Sequence, residues 1–133
     1  MLNELIVSTT KKKEFIDITS EVEKAVKESK IEEGICYVYV PHATAAITIN
    51  ENADPNIGTD IMHALDNLVP EGKWKHDRLD GNAAGHIKSS MIGCSTFIPI
   101  KNSRLTLGRW QNIFLCEFDG PRERTVLVKV MNG

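Results

Sequence analysis

The sequence predicts a single α+β domain in which an antiparallel, barrel-like β-sheet core is flanked by about three helices. Its length of 133 residues fits one domain, and a chain of this size buries about two-thirds of its unfolded surface. Short segments with alternating or continuous apolar residues outnumber the segments with helical spacing. No internal repeat and no linker rich in Pro, Gly or Ser divides the chain, so the elements are expected to share one core.

The first quarter of the chain is predicted to contain a strand, a turn and a helix. Residues 5–9 are expected to be extended, and the charged run Lys-Lys-Lys-Glu at residues 11–14 predicts a solvated turn. Between residues 17 and 30, apolar side chains recur every three or four positions, which is typical of an amphipathic helix. Ser20 followed by Glu23 offers a capping box near the start of that helix.

Two further strands precede a second helix. Residues 35–40 are rich in residues that favour strands and end at Pro41, and residues 44–51 alternate again. Pro55 suits the first turn of a helix, which Pro70 would end. The predicted buried stripe of this helix consists of Ile57, Ile61, Leu65 and Leu68.

The second half of the chain is predicted to consist mainly of strands. Residues 71–81 are polar and rich in turn formers, and the apolar residues that follow recur every four positions, so a short helix is expected over residues 83–91. Strands are predicted at residues 93–100, 109–118 and 125–130, with turns at Asn102, Ser103, Gly120 and Pro121.

Charge and composition exclude several classes of protein. With 16 Lys and Arg against 18 Asp and Glu, the net charge is −2, whereas nucleic-acid-binding domains are usually basic. No segment approaches the roughly 20 apolar residues that span a bilayer, and we expect no signal peptide. Cys36, Cys94 and Cys116 are widely spaced, so all three are expected to be buried, reduced thiols. We therefore expect a cytoplasmic protein that binds neither nucleic acid nor membrane.

Histidines and carboxylates concentrate in the middle of the chain. His76 and His86 bracket Asp80 and Asn82 in a polar loop that leads into the predicted short helix. Imidazole and carboxylate groups are common ligands of divalent first-row metals, but this spacing matches no short zinc motif. Two interpretations are therefore open for these histidines: they bind a metal or a substrate, or they have ordinary surface or capping roles. His63 lies in the second helix, away from this cluster, and is expected to pack or to face solvent.

The last third of the chain carries two arginines close to a carboxylate. In the predicted strand, Gln111 and Glu117 share a face with apolar neighbours, and a carboxylate in such a place is costly unless it is paired. Arg122 and Arg124 follow across a Gly-Pro turn. Either Glu117 forms a structural ion pair with an arginine, or the arginines bind phosphate or carboxylate, for which the planar guanidinium is well suited.

Four sequence blocks, in a fixed order, carry a resemblance to a known family. They are residues 41–46 with 50–52 (Pro-His-Ala-Thr-Ala-Ala and Asn-Glu-Asn), 80–86 (Asp-Gly-Asn-Ala-Ala-Gly-His), 107–111 (Leu-Gly-Arg-Trp-Gln) and 117–124 (Glu-Phe-Asp-Gly-Pro-Arg-Glu-Arg). On these blocks the chain resembles, over nearly its whole length, the YjbQ-like family, also called the secondary thiamine-phosphate synthase family. The resemblance implies a small α+β fold that assembles as a homotrimer, with polar pockets near the subunit contacts.

The resemblance also implies an activity and a set of site residues. Some members join a pyrimidine pyrophosphate to a thiazole phosphate and release pyrophosphate. At the matching positions here, it implies catalytic roles for His42, Glu51, His86 and Glu117, and substrate binding by Asn82, Gln111, Arg122 and Arg124. A divalent metal, zinc or magnesium, would be held by His42, His76 and His86. Glu51 or Asp80 would be a further ligand, or would instead orient one of the histidines.

Two other functions fit the same residues. The chain could form a non-catalytic trimer that binds a phosphorylated metabolite, in which case the Glu117 pair is architecture. It could also be a metal-dependent phosphate-ester hydrolase, because access of water to the site decides between hydrolysis and transfer. In every case the expected partner is a small phosphorylated metabolite.

Overall fold

The computed structural model describes residues 2–133, which form eight strands, three α-helices and one 3₁₀ helix. The strands are β1 (Leu2–Ser8), β2 (Glu14–Asp17), β3 (Gly34–Tyr39), β4 (Ala45–Asn50), β5 (Ser95–Lys101), β6 (Arg104–Leu105), β7 (Asn112–Glu117) and β8 (Glu123–Asn132). The helices are α1 (Thr19–Ser29), α2 (Pro55–Leu68) and α3 (Ala83–Ile92), and the 3₁₀ helix spans Lys75–Arg78. None of these helices is both long and apolar enough to span a membrane.

All strand pairs are antiparallel, and they form two sheets. The larger sheet has the strand order β1-β8-β3-β5-β6, and the smaller sheet has the order β2-β7-β4. The strands with their three helices confirm the predicted α+β class and the antiparallel core.

Both sheets and α1 contribute side chains to one apolar core. Val126 and Val128 of β8 and Leu115 of β7 are fully buried in it, because alternate residues of a strand face the same side of a sheet. Val22 and Val26, four positions apart on α1, cover the same core from the helix side. Each such side chain contributes roughly 1.5–3 kcal/mol relative to its exposed state.

A second, smaller core holds α2 and α3 against the smaller sheet. Ala46 of β4 and Cys116 of β7 pack with Leu65 of α2 and with Phe118, which follows β7. Ile92 of α3 packs against the same cluster. This contact places α3 beside the turn between β7 and β8, which contains Arg122 and is flanked by Glu117 and Arg124.

Strand β2 is an element that the sequence pattern does not predict. The turn expected over residues 11–14 leads directly into this strand, which pairs with β7 so that Phe15 lies opposite Cys116. Four residues are too few to show a period of two, and the strand exists because β7 supplies its hydrogen-bonding partner.

The helices and cysteines differ from prediction in detail. Helix α1 begins at Thr19 and has no side-chain cap, so the predicted capping box is wrong; Asp17 Oδ1 instead accepts the Thr19 N–H at 2.9 Å. On α2, Leu65 is buried but Leu68 is 68% exposed, because only one edge of this helix faces the smaller core. Cys94 is exposed rather than buried, since it lies in the short link before β5.

Candidate functional site

A buried ion pair between β7 and β8 lies among the predicted site residues. Glu117 is 0% exposed and Arg124 is 3% exposed. Arg124 Nε donates to Glu117 Oε2 at 2.8 Å, and its Nη2 donates to Oε1. Thr9 Oγ1 and the Asp119 N–H also donate to this carboxylate, at 2.9 Å each, while Arg124 Nη2 donates to Thr44. Both charges are satisfied inside the protein, which favours the structural ion pair over a phosphate-binding role for Arg124.

Opposing effects act on the pKa of Glu117. Burial by itself raises this pKa, but hydrogen bonds from Arg124, the Asp119 N–H and Thr9, together with the charge on Arg124, outweigh it and hold the pKa below its usual range. The carboxylate is therefore ionised at neutral pH, and the buried contact joins two full charges.

Asp119 links α3 to the turn between β7 and β8. Its Oδ2 accepts a hydrogen bond from Asn82 Nδ2 at 2.8 Å and a second from Arg122 Nη2 at 2.8 Å. Arg122 Nε also donates to the Asp119 backbone oxygen at 2.7 Å. Burial by itself raises the pKa of Asp119, but the hydrogen bonds from Asn82 and Arg122 outweigh this effect and hold the pKa below its usual value, so the group stays ionised. One carboxylate oxygen thus holds an amide and a guanidinium side by side, and we call these three residues the Asp119 cluster.

Two members of the Asp119 cluster keep unused hydrogen-bonding capacity. Asn82 Oδ1 is buried and has no hydrogen-bond partner among the residues that the structure describes, although buried acceptors are normally paired. The Arg122 side chain is 52% exposed and uses two of its donors on Asp119, whereas a guanidinium offers about five N–H groups. A ligand with one hydrogen-bond donor and one anionic group would satisfy both residues.

Two glycines allow α3 and the turn to approach their neighbours. A Cβ on Gly85 would lie 2.9 Å from the Phe118 carbonyl oxygen, and one on Gly120 would lie 2.3 Å from the Lys11 carbonyl oxygen. The Gly120 N–H donates to the Lys12 carbonyl at 2.9 Å. A larger residue at either position would push α3 or the turn outward and separate the Asp119 cluster.

His42 lies next to the buried ion pair. Its Nε2 accepts the Thr125 N–H at 3.0 Å, so Nε2 carries no proton and Nδ1 remains as the donor. Burial and the charge on Arg124 lower the pKa of His42, Glu117 raises it in part, and Arg122 lowers it further. The ring is therefore neutral at pH 7.

The other two predicted metal ligands meet edge to face. The ring centroids of His76 and His86 are 4.9 Å apart, with an interplanar angle of 88°, and Asp80 Oδ2 lies 3.5 Å from His76 Nε2. Within residues 2–133, no group of three or more His, Cys, Asp or Glu side chains is arranged to hold a metal ion. His42, His76 and His86 therefore form no complete ligand set in one chain, and the zinc or magnesium site stays a prediction.

Two predicted site residues are not bonded to the Asp119 cluster. Gln111 Oε1 accepts the Gly108 N–H at 2.8 Å and closes the turn before β7. Glu51 follows β4, where its N–H donates to Asn50 Oδ1 at 2.7 Å. The catalytic role of Glu51 and the substrate-binding role of Gln111 stay predictions.

Asp119 is the central residue that the sequence reasoning missed. Its position between a glutamate and an arginine, at a Gly-Pro turn, is the sequence signal that could have identified it. The sequence reasoning also missed Lys88. This residue of α3 is 1% exposed, and its ammonium is paired with Asp66 of α2. A lysine is rarely buried, so this position could not be read from the sequence.

Known relatives cover nearly the whole chain. Residues 3–133 match the family described as UPF0047 protein YjbQ-like. UPF0047 protein MJ1081 of Methanocaldococcus jannaschii is 49% identical over 131 residues, which cover 98% of this chain and 94% of that protein. UPF0047 protein YugU of Bacillus subtilis is 48% identical over 134 residues, which cover 98% of this chain and 99% of that protein.

Solved structures share the fold over the same length. A YbjQ-like protein of unknown function from Sulfolobus solfataricus P2 has a TM-score of 0.96 at 38% identity, covering 100% of this chain and 97% of that one. An uncharacterized YjbQ/UPF0047 protein from Clostridium acetobutylicum has a TM-score of 0.93 at 48% identity, covering 97% and 99%. Sequence blocks, overall identity and fold agree, and the chain belongs to the YjbQ-like UPF0047 family.

Proposed function

We propose that this chain is a secondary thiamine-phosphate synthase, which couples a pyrimidine pyrophosphate to a thiazole phosphate. The observation that carries the proposal is the Asp119 cluster, in which Arg122 has free donors and the buried Asn82 Oδ1 accepts no hydrogen bond from residues 2–133. The pyrimidine substrate bears an amino group, which suits a buried acceptor, and a pyrophosphate, which suits a guanidinium. The family resemblance supplies the reaction, and the cluster supplies groups of matching chemistry.

The reaction needs charge stabilisation more than proton transfer. The ester bond between the methylene carbon of the pyrimidine and the nearer phosphate oxygen breaks, and its electron pair leaves with pyrophosphate. The lone pair of the thiazole nitrogen then forms the new C–N bond. In this proposal, Arg122 donates to the departing phosphate oxygens, where negative charge develops. Asn82 Oδ1 accepts from the amino group and orients the ring, which reduces the entropy cost of bringing the two substrates together.

A divalent cation remains part of the proposal, and it would supply further positive charge to the leaving pyrophosphate. Of the three predicted ligands, His42 is the least suited, because the Thr125 N–H occupies its Nε2. His76 and His86, with rings 4.9 Å apart, are the better pair. One chain does not assemble three ligands within the described residues, so substrate phosphates or another subunit would complete the set.

We also propose that the chain assembles as a homotrimer in the cytoplasm, and that the outer face of the larger sheet forms the subunit contact. Leu2, Lys129, Tyr37 and Phe97 form one row across four strands of that face. Leu2 is 57% exposed and Phe97 is 58% exposed. Exposed apolar side chains thus flank one lysine in this row, and large apolar side chains grouped on one exposed face are typical of a protein contact. Reduced cysteines fit the cytoplasm.

The direct test is to mix the purified protein with both precursors and Mg²⁺ and to follow the formation of thiamine phosphate. Arg122→Ala is expected to reduce kcat/KM roughly 100-fold, the size of effect that loss of one transition-state donor produces. Asn82→Ala tests the proposed acceptor at the start of α3, and His86→Ala tests the proposed metal ligand on α3. The matched control is Arg104→Ala, because Arg104 is an exposed arginine on β6 and makes no ion pair with a described residue.

Three outcomes separate the candidate functions. Product formation that falls in Arg122→Ala but not in Arg104→Ala supports the synthase. Thermal stabilisation by pyrophosphate without any product contradicts it and supports the non-catalytic binding trimer. Release of phosphate from a single precursor, without coupling, supports the phosphate-ester hydrolase instead.

A further inference from the structure

A cavity lies between the β2–β7 pair and α2. Its volume is about 590 Å³, within the range of roughly 300–1,000 Å³ that small-molecule sites occupy. The loop before β2 supplies its cationic side chains, and α2 supplies one polar wall. His63 lies in that wall and is exposed on α2, as expected for a histidine on the helix surface.

The floor of the cavity is aromatic. Phe15 of β2 and Phe114 of β7 have ring centroids 6.1 Å apart, tilted by 55°, and Met62 of α2 completes this apolar surface. A Cβ on Gly58 would lie 3.2 Å from Phe15 Cδ2, so a side chain there would press against the ring. Tilted aromatic surfaces favour a further ring as a partner, which indicates a ligand that carries one.

The charges around the cavity favour an anion. Asp66 is held by two ammonium groups: Lys13 Nζ lies 2.9 Å from its Oδ2, and the buried Lys88 is paired with its Oδ1. Glu14 Oε2 accepts the backbone N–H groups of Thr10 and Lys11 at 2.7 and 3.0 Å. Both carboxylates are therefore already engaged with the protein.

One cation remains unpaired after these contacts. The Lys11 ammonium makes no ion pair with any residue that the structure describes, and it lines the cavity. Of the charged residues that line the cavity, Lys11 and Lys13 stand against Glu14 and Asp66. Lys88 does not line it, but it is buried and paired with Asp66, so it adds a third positive charge nearby. The wall adds polar groups: His63 Nε2 lies 3.3 Å from Asn67 Nδ2, and no described residue is hydrogen-bonded to its Nδ1.

We propose that this cavity binds a small anion that carries an aromatic or heteroaromatic ring, a ring phosphate or ring carboxylate. The ring lies on Phe15 and Phe114, and the anionic group lies against Lys11, with His63 Nδ1 and Thr59 available for a polar substituent. The cavity is separate from the Asp119 cluster and shares none of its three residues. Ligand binding in this cavity can therefore be tested independently of the synthase proposal.

The test is an NMR titration of the full-length ¹⁵N-labelled protein with phenyl phosphate. The amide signals of Gly58 and Met62 are expected to shift and to saturate. Benzoate tests the ring carboxylate, inorganic phosphate tests the anion without a ring, and phenol tests the ring without a charge. Phosphate and phenol are each expected to bind at least about tenfold more weakly than the better ring anion, since each lacks one of the two contacts.

Variants separate this site from non-specific charge effects. Lys11→Glu, an exposed position, is expected to weaken phenyl phosphate roughly tenfold, while the matched control Lys101→Glu, on the other sheet, leaves the affinity unchanged. Thr59→Trp, at an exposed position of α2, fills the cavity and should abolish the shifts.

Three results overturn the proposal. The first is the absence of a saturable shift at Gly58 and Met62 with both ring anions. The second is equal affinity in the wild-type and Lys11→Glu proteins. The third is a set of shifts confined to Asn82 and Arg122, which removes this site and leaves the synthase proposal in place.

Discussion

Replacing Glu117 by Gln is expected to destabilise the protein by about 3–5 kcal/mol, the cost of removing one partner from a buried ion pair. Glutamine keeps the size of the side chain but removes its charge. Arg124, at 3% exposure, is then left as an unpaired cation, because its other acceptors are the neutral oxygens of Thr44. The amide group of Gln also places a donor where a carboxylate oxygen accepts from Arg124 or from Thr9.

Urea denaturation measures this loss directly. With a dependence of about 2 kcal/mol per M urea, the midpoint of unfolding should fall by roughly 1.5–2.5 M. Protein concentration has to be held constant, since self-association shifts apparent stability. Because folding lowers the pKa of Glu117, the stability it contributes is present above its usual value of 4.5 and is lost as pH falls through the lower folded pKa. The Gln variant should lack this acid-dependent loss.

The control is Glu28→Gln, which breaks an exposed pair with Lys24 on α1 and is expected to cost less than about 0.5 kcal/mol. The double variant Glu117→Leu with Arg124→Met removes both charges together and should recover most of the loss. A Glu117→Gln protein destabilised by less than about 1 kcal/mol would refute the account of a buried, mutually dependent pair.

Three further predictions concern other parts of the molecule. Asp66→Asn leaves the buried Lys88 without its anion and is expected to lose about 3–5 kcal/mol in urea denaturation; an unchanged midpoint contradicts this. By NMR, His42 should titrate below the usual imidazole value of 6.5 with its proton on Nδ1, because Nε2 accepts from Thr125. Since folding lowers this pKa, the stability that neutral His42 contributes is present above pH 6.5 and is lost as pH falls through the folded pKa. Phe97→Glu, on the outer sheet face, should reduce the mass seen by light scattering from trimer to monomer, whereas a wild-type monomer contradicts the proposed assembly.

Elements with local signals were predictable from the sequence. Pro55 starts α2 and Pro70 follows its end, because proline lacks the N–H and the freedom that a helix interior needs. Asn102 and Ser103 adopt φ values of 53° and 63° and make the predicted turn before β6. Turn-forming residues and the spacing of apolar residues act over a short stretch of chain. They can therefore be recognised in the sequence without knowing the tertiary contacts.

Features that depend on distant contacts were not predictable. Strand β2 is extended because it pairs with β7, and Lys88 is buried because Asp66 meets it from another helix. His63 faces a cavity that exists only once α2 lies over Phe15. In each case the decisive neighbour is far away in the chain, and a single sequence carries no record of it.

The sequence by itself determined the class of fold and the chemical groups of the site: two glutamates, two arginines and a Gly-Pro turn in a stretch of eight residues. Only the tertiary structure decided which arginine is structural. Arg124 lies on β8 with its side chain turned inward, where Glu117 neutralises it. Arg122 lies in the turn, where solvent reaches it and Asp119 leaves it free donors. The two side chains are chemically identical, and burial alone distinguishes their roles.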